Sequence, residues 1–257
     1  MVEYYRAADL ETRVRSITHS IGVVVGAFFA AVVVSSLVGG LLLVAGFEEF
    51  EMIGQTGAPL HVSVAAYIMQ FTGFFAVAFG YLWWYSDRDL FDISVPSLRD
   101  LAWMLGGSVL LYVLLVSLSA LLAAAGIETA TNEVITQGRQ NPALFLYLIP
   151  ITFLFVAPAE ELIYRGIVQG LLRDAYGVVP GVVFATLLFG SSHIFALLSS
   201  DGGQISAVAL VVVLGLVLAT IYEHTENLAV PIVIHGIFNA VQFVLGYLAA
   251  TGAVPSG

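Results

Sequence analysis

Cysteine and lysine are both absent from this chain of 257 residues, and only 10% of its side chains are charged. Without cysteine there can be no disulfide, thiolate metal site, iron–sulfur cluster or cysteine nucleophile, so any metal would have to sit on His, Asp, Glu or Asn. Eight arginines stand against 18 carboxylates, a net charge of -10. That balance cannot furnish a basic groove for phosphates, and nucleic acid is not an expected partner. Internal repeats, low-complexity tracts and Pro/Gly/Ser-rich linkers are missing too, which points to one domain. What fills the chain is apolar. Hydrophobic residues make up 60% and the mean hydropathy is +0.98, values that exclude an ordinary water-soluble globule.

A helix needs about 20 mostly apolar residues to cross a hydrocarbon layer roughly 30 Å thick. Seven such runs occur, near 21–47, 60–85, 101–126, 143–165, 180–198, 205–222 and 228–250. The expected fold is an all-α, polytopic transmembrane helix bundle of about seven spans, to which a re-entrant segment or an eighth short helix near 132–141 is the alternative. Residues 1–257 are read as a single integral membrane domain, in which 1–142 supply N-terminal spans without motifs and 143–250 a motif-bearing core. The first run follows some 20 largely polar residues and is too long for a signal core, so it is read as a retained anchor. Arg6, Arg13, Arg15, Arg88, Arg99 and Arg173 fall on one expected side and Arg139 alone on the other. Because short cytoplasmic loops are enriched in basic residues, this predicts a multi-pass protein of the cell membrane with a cytoplasmic N-terminus. Trp83, Trp84 and Tyr85 close the second run like an interfacial anchor, and membrane lipid is the first expected partner.

Polar residues inside these runs carry the functional information. A charged side chain in hydrocarbon costs about 2.5–3.5 kcal/mol on insertion scales, so it persists only when paired, hydrated or turned toward the bundle interior. The segment Ala157-Pro158-Ala159-Glu160-Glu161-Leu162-Ile163-Tyr164-Arg165-Gly166 places two adjacent carboxylates and an arginine at the end of the fourth run. Glu161 and Arg165 are four residues apart and can pair on one helix face, whereas Glu160 points about 100° away and is left to face something else. Pro158 either kinks a helix here or begins one. The plainer reading is that these charges sit at the cytoplasmic end of the span and snorkel into the headgroups.

Two further clusters follow: Phe189-Gly190-Ser191-Ser192-His193 in the fifth run, and His235-Gly236-Ile237-Phe238-Asn239 in the seventh, where spacing four aligns imidazole and amide. Each alone could be core packing or interhelical hydrogen bonding. Together they put acid–base or hard-ligand side chains on three helices able to converge on one cavity. His19, His61 and His224 lie near run ends and carry no expected role. Gln70 and Gln242 read as interhelical hydrogen bonders, and the pairs Gly166/Gly170 and Gly22/Gly26 as close-packing sites.

In this order the motifs Glu-Glu-x-x-x-Arg, Phe-x-x-x-His and His-x-x-x-Asn resemble the CAAX prenyl protease and bacteriocin-processing (CPBP, or Abi) group of intramembrane proteases. The resemblance covers roughly 143–250, and Tyr164 and Gly166 around Arg165 suit it as well. It implies intramembrane endopeptidase activity on a peptide or protein substrate, lipidated or membrane-anchored, with catalytic roles among Glu160, Glu161, Arg165, His193, His235 and Asn239. Glu160 would be the general base for water and Glu161 with Arg165 mainly structural; Asn239 would donate to the developing oxyanion. Glu160, His193 and His235 would be the donors if a metal is used, with zinc the favoured candidate; a metal-free, glutamate-activated water is also consistent with the residue types. Other hydrolase signatures, His-Glu-x-x-His and Gly-x-Ser-x-Gly, are absent. The alternatives are a proton- or metal-coupled transporter, against which the confinement of polar residues to the last four runs argues, and an inactive immunity-type scaffold.

Overall fold

A computed structural model describes residues 4–5, 7–55, 57–85, 90–198 and 202–253. Among them lie eight helices, a short 3-10 turn at Glu48–Met52 and no strand. The helices are α1 Leu10–Val44, α2 Leu60–Tyr85, α3 Leu98–Ala124, α4 Glu133–Gln140, α5 Ala143–Tyr176, α6 Val178–Leu197, α7 Gln204–Thr225 and α8 Ala229–Ala250. All except α4 are long and apolar enough to span a bilayer. Their outer faces expose large apolar side chains, among them Phe29, Leu41, Leu105 and Leu121, as lipid-facing helices do. The short α4 is amphipathic and capped by Asn132, whose side chain accepts from the Val134 N–H, and Arg139 lies in its last turn.

Hydrogen bonds between loops sort the ends of the spans into two faces. On the N-terminal face the Ala8 N–H donates to the Ala175 carbonyl, the Leu228 N–H donates to the Asp92 carbonyl, and the Asn227 side chain binds the backbone of Ser94 on both its N–H and C=O. On the opposite face the Ala130 N–H donates to the Gly203 carbonyl, His61 meets Glu49 at 3.2 Å, and the Tyr67 hydroxyl donates to Gln137. Arg13, Arg15, Arg99 and Arg173 lie at helix ends of the N-terminal face and Arg139 on the other, while Arg6 and Arg88 fall outside the described residues.

Helix α5 is the axis of the bundle and differs from its sequence-based expectation. It runs to Tyr176 instead of ending near Arg165, so the Glu-Glu-x-x-x-Arg motif sits midway along a span and does not snorkel at a headgroup. From Leu162 to Gly170 every residue is buried, the mark of a helix surrounded by other helices. Two segments, Thr152–Val156 and Leu162–Gln169, are wound as π-helix. Pro158 neither begins nor breaks the helix: it lacks an N–H for the Leu154 carbonyl and its ring crowds that oxygen, and the first widened segment contains Leu154.

Close packing also falls elsewhere than expected. A Cβ on Gly22 would meet nothing within 4 Å, whereas one on Gly73 would lie 2.5 Å from the backbone nitrogen of Ala31, so Gly73 sets the α1–α2 crossing. Gly170 is close-packed too, though against a non-helical segment and not a helix: a Cβ there would stand 2.8 Å from the Leu90 carbonyl oxygen.

Candidate active site

The charged centre begins with Glu161, which is 0% exposed. Its Oε1 accepts from Arg165 Nη1 at 3.1 Å, one helical turn away, and from His235 Nδ1 of α8 at 2.8 Å. Arg165, itself 1% exposed, donates through Nη2 to the Gly215 carbonyl of α7 at 3.1 Å. Its guanidinium lies 4.2 Å from the centre of the Phe189 ring of α6, a geometry in which the ring quadrupole favours a desolvated cation. One buried ion pair therefore fastens four helices. Gly215 makes this possible, since a Cβ there would approach Phe189 to 2.8 Å and Arg165 Nη2 to 3.4 Å.

Glu160 projects from the adjoining face of α5 into a cavity of about 540 Å³, whose wall also includes Tyr164, Ser192 and His193. Its Oε2 stands 3.7 Å from His235 Nε2. His235 thus lies between the two carboxylates, touching Glu161 through one ring nitrogen and facing Glu160 with the other. His193 sits where α6 tightens into 3-10 geometry. Its Nδ1 is 2.8 Å from the Phe189 carbonyl, and because a carbonyl only accepts, Nδ1 is the donor in that contact. Tyr164 donates to Ser192 Oγ at 2.7 Å, and Ser192 donates in turn to the same Phe189 carbonyl at 2.7 Å.

The structure thus gathers Glu160, Glu161, Arg165 and His235 into one network and Glu160 and His193 into one cavity. Asn239 stands outside both: its Nδ2 donates to Thr152 Oγ1 at 3.2 Å, and Thr152 is fully buried where α5 first widens. The cavity wall also holds Gln70, read from the sequence as an interhelical hydrogen bonder, and Tyr67 and Gln137, for which no role was expected from the sequence. The contact of Tyr67 in α2 with Gln137 in α4 joins residues 70 apart, and no local pattern announces it. Among the described residues no three side chains of His, Asp or Glu are placed to hold one metal ion. A zinc centre needs at least three such donors converging, so Glu160, His193 and His235 as arranged do not fit one.

Among curated proteins no relative matches this chain, and no solved structure matches it. Residues 142–241 do match a family model, described as type II CAAX prenyl endopeptidase Rce1-like. The matched stretch holds all three motifs, the Glu161–Arg165–His235 network and the Glu160–His193 side of the cavity. Over these residues, about two fifths of its length, the chain is similar to the Rce1-like type II CAAX prenyl endopeptidases, the group its motifs resemble.

Proposed function

We propose that this protein is an intramembrane endopeptidase that hydrolyses a peptide bond with water activated by Glu160. The observation that carries the reading is the division of labour between two adjacent carboxylates: Glu161 is sealed in an ion pair, while Glu160 opens onto a cavity shared with His193. The Glu160 carboxylate takes a proton from water as the hydroxide oxygen attacks the scissile carbonyl. It then returns that proton to the leaving amine as the C–N bond breaks. His193, on the wall of the same cavity, orients that water through Nε2, its Nδ1 being engaged by the Phe189 carbonyl. His235 is a positioning residue, with both ring nitrogens facing carboxylates. The substrate is a peptide or protein segment reached within the membrane; a lipidated or anchored one is consistent with the family.

The test is Glu160→Gln in purified protein, assayed on membrane-anchored reporter peptides. The expected result is a folded protein with unchanged melting and a loss of at least 10²-fold in hydrolysis, the span ordinarily supplied by a general base. Hydrolysis persisting at the wild-type rate removes the proposed base. Elemental analysis of the same preparation, with activity compared before and after chelator, decides between this route and a metal-loaded one. Stoichiometric zinc together with chelator-sensitive turnover would overturn the metal-free mechanism.

A further inference from the structure

We propose that Tyr164 and Ser192 are positioning residues for His193: a run of hydrogen bonds from the Tyr164 hydroxyl through Ser192 to the Phe189 carbonyl holds the acceptor from which the His193 ring hangs, and so aims Nε2 into the cavity. Both residues occupy unspecified positions of their motifs, Glu-Glu-x-x-x-Arg and Phe-x-x-x-His. The inference rests on the reading of His193 as the group that orients water, although the hydrogen bonds can be followed without any turnover.

The Phe189 carbonyl is available because regular α-helix ends here. In a continued α-helix it would accept the His193 N–H, four residues on. That N–H turns instead to Gly190 and Ser191 as the chain tightens into 3-10 geometry, and the released oxygen takes side-chain donors. It has two lone pairs. Ser192 Oγ fills one at 2.7 Å and His193 Nδ1 the other at 2.8 Å. The Ser192 hydroxyl has a single hydrogen and an otherwise free rotor; accepting from Tyr164 at 2.7 Å commits that hydrogen to the carbonyl. Tyr164 is itself 2% exposed. Its ring meets Phe189 edge-on at 5.1 Å, and the Phe189 ring stands 4.6 Å from that of His193. Tyr164 therefore steadies residue 189 twice, at its ring and, through Ser192, at its carbonyl. It lies four residues beyond Glu160 on α5, and Glu160, Tyr164, Ser192 and His193 all border the one cavity. The tie thus fixes the helix that carries Glu160 against the end of α6 that carries His193, the two groups that must hold one water between them. A displacement of about 1 Å between reacting groups can cost on the order of 10²-fold in rate, so loss of a hydroxyl one contact away from the imidazole, with every ring left in place, is expected to cost about tenfold.

The test uses the full chain carrying Tyr164→Phe, Ser192→Ala or both, assayed on the membrane-anchored reporter peptides. Each single change should lower kcat about tenfold with KM held within about twofold and melting unchanged. The double variant should be no slower than Ser192→Ala, because Tyr164 acts through Ser192. Wild-type kcat in either single variant, a double variant slowed by the product of the two losses, or a loss that follows KM or melting overturns the assignment. A second measurement needs no hydrolysis. The chain has five histidines, so isotopic labelling of the imidazole nitrogens resolves the His193 Nδ1–H by magnetic resonance, identified by its disappearance in His193→Gln. Its exchange with water should be at least about tenfold faster in Tyr164→Phe and in Ser192→Ala than in wild type, and equal exchange overturns the positioning role. Glu160→Gln keeps the two readings apart: wild-type hydrolysis in that variant removes the base and leaves the exchange result standing, whereas equal exchange beside an inactive Glu160→Gln removes the positioning role and leaves the base.

Discussion

Removing the Arg165 side chain should be among the most damaging single changes available to this fold, and the structure lets the damage be sized. In Arg165→Ala the Glu161 carboxylate stays 0% exposed but loses a guanidinium 3.1 Å away. At an effective dielectric of about 20, two unit charges at that separation attract by roughly 5 kcal/mol. The Gly215 carbonyl loses its donor and the Phe189 ring its cation in the same stroke. His235 stays on Glu161 and offsets part of the loss. The expected cost is therefore about 3–5 kcal/mol, as for other buried pairs broken from one side, or a fall of roughly 10 °C in melting temperature in detergent. The double variant Glu161→Gln/Arg165→Met removes the stranded charge together with its partner and should be more stable than Arg165→Ala. A double-mutant cycle followed by thermal unfolding measures this, with an expected coupling above about 2 kcal/mol. If Arg165→Ala melts within about 1 kcal/mol of wild type, or if the two changes simply add, the ion pair is not what fastens the four helices.

Gly73→Leu should push α1 from α2, because even its Cβ would fall 2.5 Å from the Ala31 nitrogen; thermal unfolding should show a loss of about 1–3 kcal/mol, against little change for Gly22→Leu. Thr152→Val keeps its shape but takes the acceptor from Asn239, at a cost of about 1 kcal/mol. Comparing its turnover with that of Asn239→Ala separates a helix tie from an oxyanion donor: equal turnover in the two supports the tie, and a selective loss in Asn239→Ala the donor. Asp9 caps α1, and hydrogen bonds from the Thr12 backbone and side chain hold its carboxyl below the usual 3.8. The cap is then fully effective above pH 3.8 and is lost as pH falls through the lowered value. The protection of the Thr12 amide, its exchange rate taken relative to the intrinsic rate at the same pH, should fall only at the acid end of that range, and a fall already at pH 5 would contradict the cap.

The seven spans were legible because hydrocarbon demands long apolar runs, whereas the short polar stretch that forms α4 left a re-entrant segment and a helix equally open. The length of α5 was not. Charge ordinarily marks where a span leaves the lipid, and Glu160, Glu161 and Arg165 look like such a boundary until α6, α7 and α8 are packed around them. The pairing of Glu161 with Arg165 was readable from spacing four, as was the separate heading of Glu160. Contacts of Glu161 with His235 and of Asn239 with Thr152 join residues more than 70 apart in sequence, and no periodicity encodes them. The widened turns of α5 had only Pro158 as a sign, and a proline in a helix is as readily a kink or a start.

Helix α7 supplies no motif residue, yet the centre depends on what it withholds. At position 215 the bundle needs a main-chain oxygen and an empty space beside it, and glycine provides both. A search for functional side chains passes over such a position, since its contribution is a vacancy shaped to admit a guanidinium edge. Redesign of α7 must therefore keep that one gap open.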